Sequence, residues 1–206
     1  MLLRQGIEAL EPGAKRNTRH RLIVAAAILL QRRGFYGVGT NEILELAEVP
    51  RGSLYHHFPN GKSELTAAAI EWVGSEAIFH IRQLRLAGRD AGTIIDATAH
   101  GIAAWMEATN FSEGSLLAAM ASCLGSDEER VRLSVNRAYE KLIEEFATAM
   151  RGDGVVKEEA RSLAERVVSE LEGATLVARA RQSDQPLVAA SDRLLSQLSR
   201  SMPSTG

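Results

Sequence analysis

The stretch Gly34–Leu65, GFYGVGTNEILELAEVPRGSLYHHFPNGKSEL, constrains this chain more than any other. Two short helical patterns flank a tight corner at Glu48-Val49-Pro50. The first covers Thr40–Ala47, with Ile43, Leu44 and Ala47 apolar. The second covers Arg51–Phe58, where Leu54 and Phe58 lie four apart and share a face. Arg51, Gly52, Tyr55 and His56 fall on the opposite face. Two short helices about such a corner are a helix-turn-helix, whose second helix enters the major groove of DNA.

The chemistry of the outward face suits that task. Arg51 stands at the start of the second helix, the end that meets base edges. Gly52 and Ser53 are small and let a phosphate or base come close to the backbone. Tyr55 carries a hydroxyl on a rigid arm, His56 faces outward, and Lys62 can pair with a phosphate. Thr40 caps the first helix or holds a phosphate at its N-terminus. Lys15, Arg16, Arg19 and Arg21 cluster just before this region. They fit phosphate or minor-groove contacts and fit a solvated helix start equally well. A metal site at His56-His57 is rejected, because adjacent helical residues point about 100° apart and no further ligand lies at metal-site spacing. His57 reads as a partly buried structural residue beside Leu54.

Residues 1–65 hold nine Lys/Arg against six Asp/Glu, and the remainder holds fifteen against twenty. A mildly basic head on an acidic body fits a DNA-binding end joined to a partner-binding end. The one cysteine, Cys123, excludes an internal disulfide and reads as a small buried hydrophobe. No apolar run approaches the ~20 residues of a membrane span, and the N-terminus lacks the apolar core of a secretory signal. Cytoplasmic residence, with no membrane partner, is the expectation.

The rest of the chain is helical in pattern, which predicts an all-α fold of about nine helices. The first covers Thr18–Arg33, capped by Asn17 or Thr18 and stopped at Gly34. A long helix over Ser63–Leu86 is apolar on two sides and joins the head to the body. Further helices are predicted over Thr93–Ala108, Leu116–Cys123, from a cap at Ser126 or Asp127 to Met150, over Lys157–Arg181, and onward from Ser183-Asp184-Gln185-Pro186. The domain reading is a loose arm over 1–14, a DNA-binding domain over 15–62 and a body over 63–206. The last residues, Arg200–Gly206, read as frayed.

GTNEILELAEVPRGSLYHHFPNGKSEL resembles the DNA-binding domain of the TetR/AcrR transcriptional regulators. Thr40, Gly52, Leu54, Tyr55, His57, Phe58, Lys62 and Leu65 sit at the family's spacing. Gly61 before Lys62 and the segment EGSLLAAMA near Gly114 are similar to its LmrA/YxaF-like branch. The branch often has Cys-Pro after that glycine, where this chain has Ser115-Leu116. The resemblance implies a homodimeric repressor on a palindromic operator, released by a small hydrophobic effector, with no cofactor or metal. It implies that Trp72, Phe79, Trp105, Met106, Met120 and Phe146 line an effector cavity, with His80 or His100 as polar contacts. As apolar-face residues they equally read as core. It also implies that the last two long helices pair with their copies in a partner through Leu171, Ala174, Ala178, Leu187 and Leu194. Those stripes fit an intramolecular core as well. A small helical enzyme using His80, His100, Ser115 or Cys123 is the rival, but these residues form no HExxH, GxSxG, P-loop or dinucleotide-binding motif. A helical partner-binding module that does not read DNA is the other alternative.

Overall fold

Helix α1, Thr18–Arg33, is closed at both ends by local chemistry. The Asn17 side chain accepts the His20 N–H at 2.9 Å, and Gly34, at φ +70°, returns its own N–H to Leu30 O. Residues Leu22 through Ile28 are buried without a break, so α1 is enclosed all round rather than laid on a surface. It packs against α2 (Thr40–Leu46), α3 (Ser53–His57) and α6 (Leu116–Cys123). The remaining helices are α4 (Gly61–Leu86), α5 (Ala91–Ala108), α7 (Glu129–Gly152), α8 (Lys157–Arg181) and α9 (Gln185–Ser201). The computed structural model describes residues 17–125 and 128–201, and among these there is no strand. The arm over 1–14, Lys15, Arg16, the caps assigned to Ser126 and Asp127, and the chain end after Ser201 lie outside the described residues.

The chain forms two compact units, and their limits differ from a division at residue 62. The first holds the residues through Glu76 together with Ser115–Ala138, the second Ala77–Gly114 together with Tyr139 onward. The segment around α6 belongs with the head because its contacts are there. Leu116, Leu117 and Met120 are buried. Phe35 N–H donates to Cys123 Sγ at 3.3 Å, and Ser63 Oγ donates to Glu128 Oε2 at 2.7 Å. Ser115 caps α6 by accepting the Ala118 N–H at 3.1 Å.

In the second unit α9 packs on α5 and α8 through Leu187, Ala190, Leu194 and Leu198. α5 begins at Ala91, before the predicted Thr93, because Asp90 accepts the Thr93 N–H at 2.7 Å and Asp153 accepts the Ala91 N–H at 2.6 Å. Gly88 through Gly92, which the sequence marks only as a break, therefore contains a helix cap.

Candidate nucleic-acid interface

The corner of the head is built from backbone bonds over an apolar floor. Glu48 N–H donates to Glu45 O at 2.9 Å and Val49 N–H to Leu44 O at 3.1 Å. Ile43, Leu44, Ala47, Leu54 and Phe58 are buried beneath it. α3 is shorter than the predicted Arg51–Phe58. Arg51 and Gly52 form a turn, with Ser53 N–H donating to Pro50 O at 2.9 Å, and Gly52 at the cap position has no side chain to hold a longer start. At the other end Phe58, at φ −137° and ψ 79°, is already outside the helical region. Pro59 follows and disfavours a helical conformation in the residue before it.

Arg51 and Gly52, in the turn before α3, and Tyr55 and His56, on α3, are exposed, while Ser53 and His57 are half-buried. Tyr55 is 64% exposed although aromatic. A Cβ built on Gly52 meets nothing within 4 Å. Its size and flexibility answer no need inside the chain, since its φ of −68° suits any residue. The His56 and His57 rings meet edge-on at 4.8 Å, and among the described residues no group of three His, Cys, Asp or Glu could hold a metal ion.

Other head residues stand differently from the sequence expectation. The cap of α2 is Gly39, not Thr40. Gly39 N–H donates to Glu42 Oε1 at 2.8 Å, and that bond, followed by the Arg33 guanidinium, holds the Glu42 carboxyl below the usual range. Thr40 is the half-buried first residue of the helix. Lys62 folds back on the head. Its Nζ donates to Phe35 O and lies 4.3 Å from the centre of the Phe35 ring. Burial lowers its pKa, with Glu128, Cys123 and Glu42 acting the other way. Arg19 stacks on Phe58, its guanidinium 5.1 Å from the ring centre. Arg21 is paired with Glu48 at 2.9 Å, a contact between α1 and the corner that no sequence pattern marks.

The residues assigned to an effector cavity do not form one group. Trp72 and Met120 belong to the first unit, with Met120 buried and Trp72 edge-on to His20 at 5.7 Å. In the second unit Met106 and Phe146 are buried core, whereas His100 is exposed beside Asp96 and Phe79 is 54% exposed. Trp105 packs against that core with its indole N–H buried and without an acceptor among the described residues. Tyr139 also packs against that core, and its hydroxyl pKa is raised by burial and by Glu172. A shallow cleft of about 260 Å³ opens instead between the start of α8 and the end of α9, lined by Glu159, Ser162, Leu163, Arg166, Gln197, Arg200 and Ser201.

The structure places the five residues assigned to a dimer interface inside a core. Leu171, Ala174, Ala178, Leu187 and Leu194 are all buried in their own unit's core, so they have almost no surface left for a partner to cover. The exposed apolar side of α8 is its neighbouring stripe, Gly173, Leu176, Val177 and Ala180. Leu176 and Val177 are 51% and 42% exposed. Their three-to-four spacing was legible in the sequence beside the core stripe.

A buried three-helix head presenting a short second helix defines the class of helix-turn-helix DNA-binding proteins. Comparison with known proteins narrows this. Residues 22–69 match the bacterial regulatory proteins of the tetR family. Residues 91–193 match the family described as transcriptional regulator LmrA/YxaF-like, C-terminal domain. The chain belongs to the TetR family of transcriptional regulators, with an LmrA/YxaF-like C-terminal domain, and is a DNA-binding regulator rather than an enzyme. It is 29% identical over 174 residues to the uncharacterized HTH-type transcriptional regulator Rv0196 of Mycobacterium tuberculosis, covering 82% of this chain and 88% of the relative. Its fold is similar to that of a TetR transcriptional regulator from Legionella pneumophila, with a TM-score of 0.78 and 21% identity over 88% of this chain and 97% of the other. It is also similar to the TetR family regulator CifR, solved as a cysteine mutant complexed with 26-bp double-strand operator DNA and as the apo protein. There the TM-score is 0.74, with 21% identity over 90% of this chain and 98% of the other. Among the described residues no helix is long and apolar enough to cross a membrane.

Proposed function

We propose that this regulator is a homodimeric repressor that reads a palindromic operator in the cytoplasm and is released by a small, mainly hydrophobic effector. The observation that carries the DNA side is the exposed run at the start of α3, Arg51 and Gly52 in the turn before it and Tyr55 and His56 on it, over a buried floor. Arg51 contacts base edges, Tyr55 and His56 contact the backbone or bases, and Gly52 and Ser53 let the duplex come close. Thr40 contributes a phosphate contact at the start of α2. Lys62 contributes another, because an ammonium has three donors and the Phe35 carbonyl accepts only one.

The dimer forms through the exposed stripe of α8 at Leu176 and Val177, each protomer offering the same patch. Exposed large apolar side chains in a row of this kind mark an interaction surface. The effector binds in the second unit around Trp105, whose buried N–H gains an acceptor from the ligand; an unmet buried donor is costly. To switch repression the effector must favour the released state by about 1–3 kcal/mol of coupling.

The test is a pair of variants on a selected operator and a scrambled duplex. Arg51→Ala should lose affinity for the operator more than for the scrambled duplex, by ~1–3 kcal/mol of discrimination. Equal losses on both duplexes would make Arg51 a backbone contact and remove α3 as the base-reading element. Tyr55→Phe should weaken both duplexes alike.

A further inference from the structure

The corner between α2 and α3 turns on a residue that ought to resist it. Glu48 sits at φ +50°, a left-handed conformation that strains any residue with a Cβ and that glycine adopts freely. The backbone bonds to Glu45 and Leu44 close the corner, and Pro50 restricts Val49 to extended conformations. None of these requires an acid at position 48. The acid has a partner outside the corner: Arg21 Nη2 donates to Glu48 Oε2 at 2.9 Å, across 27 residues of sequence. Arg21 lies in the first turn of α1, directly before the fully buried Leu22, so its Cα is fixed by the core. The head thus ties the strained residue to its most enclosed helix.

We infer that Arg21 is a positioning residue for DNA reading: it anchors Glu48 in the left-handed conformation and so sets the direction in which α3 leaves the corner. The inference deepens the assignment of α3 as the reading helix and rests on it. It gives Arg21 a role other than the two the sequence leaves open for it, a phosphate or minor-groove contact and a solvated helix start. Glu48 likewise ceases to be an incidental acid beside a polyanion.

The alternatives differ in sign. If Glu48 merely faces DNA, removing its charge tightens binding, because a repulsion is lost. If it anchors the corner, Glu48→Ala weakens binding, because alanine keeps the strain and loses the tie. Glycine at 48 needs no tie. The experiment uses the full chain with Arg21→Ala, Glu48→Ala, Glu48→Gly and the double variant Arg21→Ala/Glu48→Gly. Affinity is measured across a salt series on a palindromic duplex recovered by selection. Arg21→Ala and Glu48→Ala are each expected to lose up to about five-fold, the ceiling for an exposed ion pair, with an unchanged salt slope. Glu48→Gly and the double variant are expected to bind as the natural chain does. Tighter binding by Glu48→Ala overturns the proposal. So does an Arg21→Ala slope lower by about 0.9 with no rescue by glycine, the mark of a lost phosphate contact.

A DNA-free arm separates this inference from the reading of α3. The coupling between the amide and α protons of residue 48 reports its φ. Arg21→Ala should change that coupling in the free protein, and an unchanged value overturns the proposal whether or not any duplex is bound. Failure of the natural chain to bind any duplex would count against the reading of α3 instead.

Discussion

Gly52→Ala should make the protein more stable and a worse DNA binder. Gly52 has φ −68° and ψ −17°, inside the right-handed helical region, and a Cβ there meets nothing within 4 Å. Alanine therefore fits without strain and restricts the unfolded chain, a gain of ~0.4–1 kcal/mol. For a chain of this size that corresponds to roughly 1–4 °C in Tm. The new methyl projects into open space at the exposed start of α3. If the duplex approaches the backbone there, the methyl must hold it off or displace it, at a cost on the order of 1–3 kcal/mol, or about 5- to 150-fold in Kd. Thermal unfolding and fluorescence anisotropy on a selected operator read the two effects separately. A lower Tm would show that the chain's own packing needs the glycine. A stabilised variant with unchanged affinity would show that DNA does not approach α3 at Gly52, and the placement of the interface would be wrong.

Lys62→Met should lower Tm by roughly 2–4 °C, since Phe35 O loses its donor at a cost of about 1 kcal/mol. It should also reduce the salt slope of operator binding by about 0.9; an unchanged slope would leave Lys62 with the structural task alone. Leu176→Arg, on a side chain 51% exposed, should give folded monomers in light scattering, whereas Leu171→Ala, 5% exposed, should cost ~2–5 kcal/mol of stability. A dimeric Leu176→Arg protein would place the interface elsewhere. The Glu42 carboxyl is held low by the Gly39 N–H and then by Arg33. Its stabilising contribution is therefore complete above the unfolded value, ~4.3, and fades as the pH falls through the lower folded value. Glu42→Gln should accordingly flatten the acid limb of Tm against pH below ~4.3, and an equally steep limb would mean other carboxylates set it.

The sequence reveals most where structure is decided locally. Asn17 and Gly34 close α1 by contacts within one turn, and both ends of that helix were predictable. The exposed face of α3 was likewise legible from the four-residue spacing of Leu54 and Phe58. The ends of α3 were less so, because Pro50 and Pro59 act on their neighbours and shorten the helix from outside its own pattern. Tertiary choices left no periodic trace. Lys62 could point to solvent or to the Phe35 carbonyl, and Arg21 could meet a phosphate or Glu48; only the folded head decides. On α8 two apolar stripes run side by side. The sequence reading followed the stripe of Leu171, Ala174 and Ala178, and periodicity does not say that these face inward while Leu176 and Val177 remain exposed. The segment around α6 joins the head through Cys123 and Glu128, single contacts across long stretches of sequence, so a boundary drawn at residue 62 misses it.

In the proposed dimer two copies of α3 read a palindrome. Selection of bound duplexes from a random DNA pool, with the full chain at near-physiological salt, tests it most directly. An enriched inverted repeat is expected, with half-sites one helical turn apart, ~34–36 Å centre to centre, or a multiple of that. A folded protein that enriches no sequence even at low salt, or one that enriches a single half-site without its inverted copy, would contradict it.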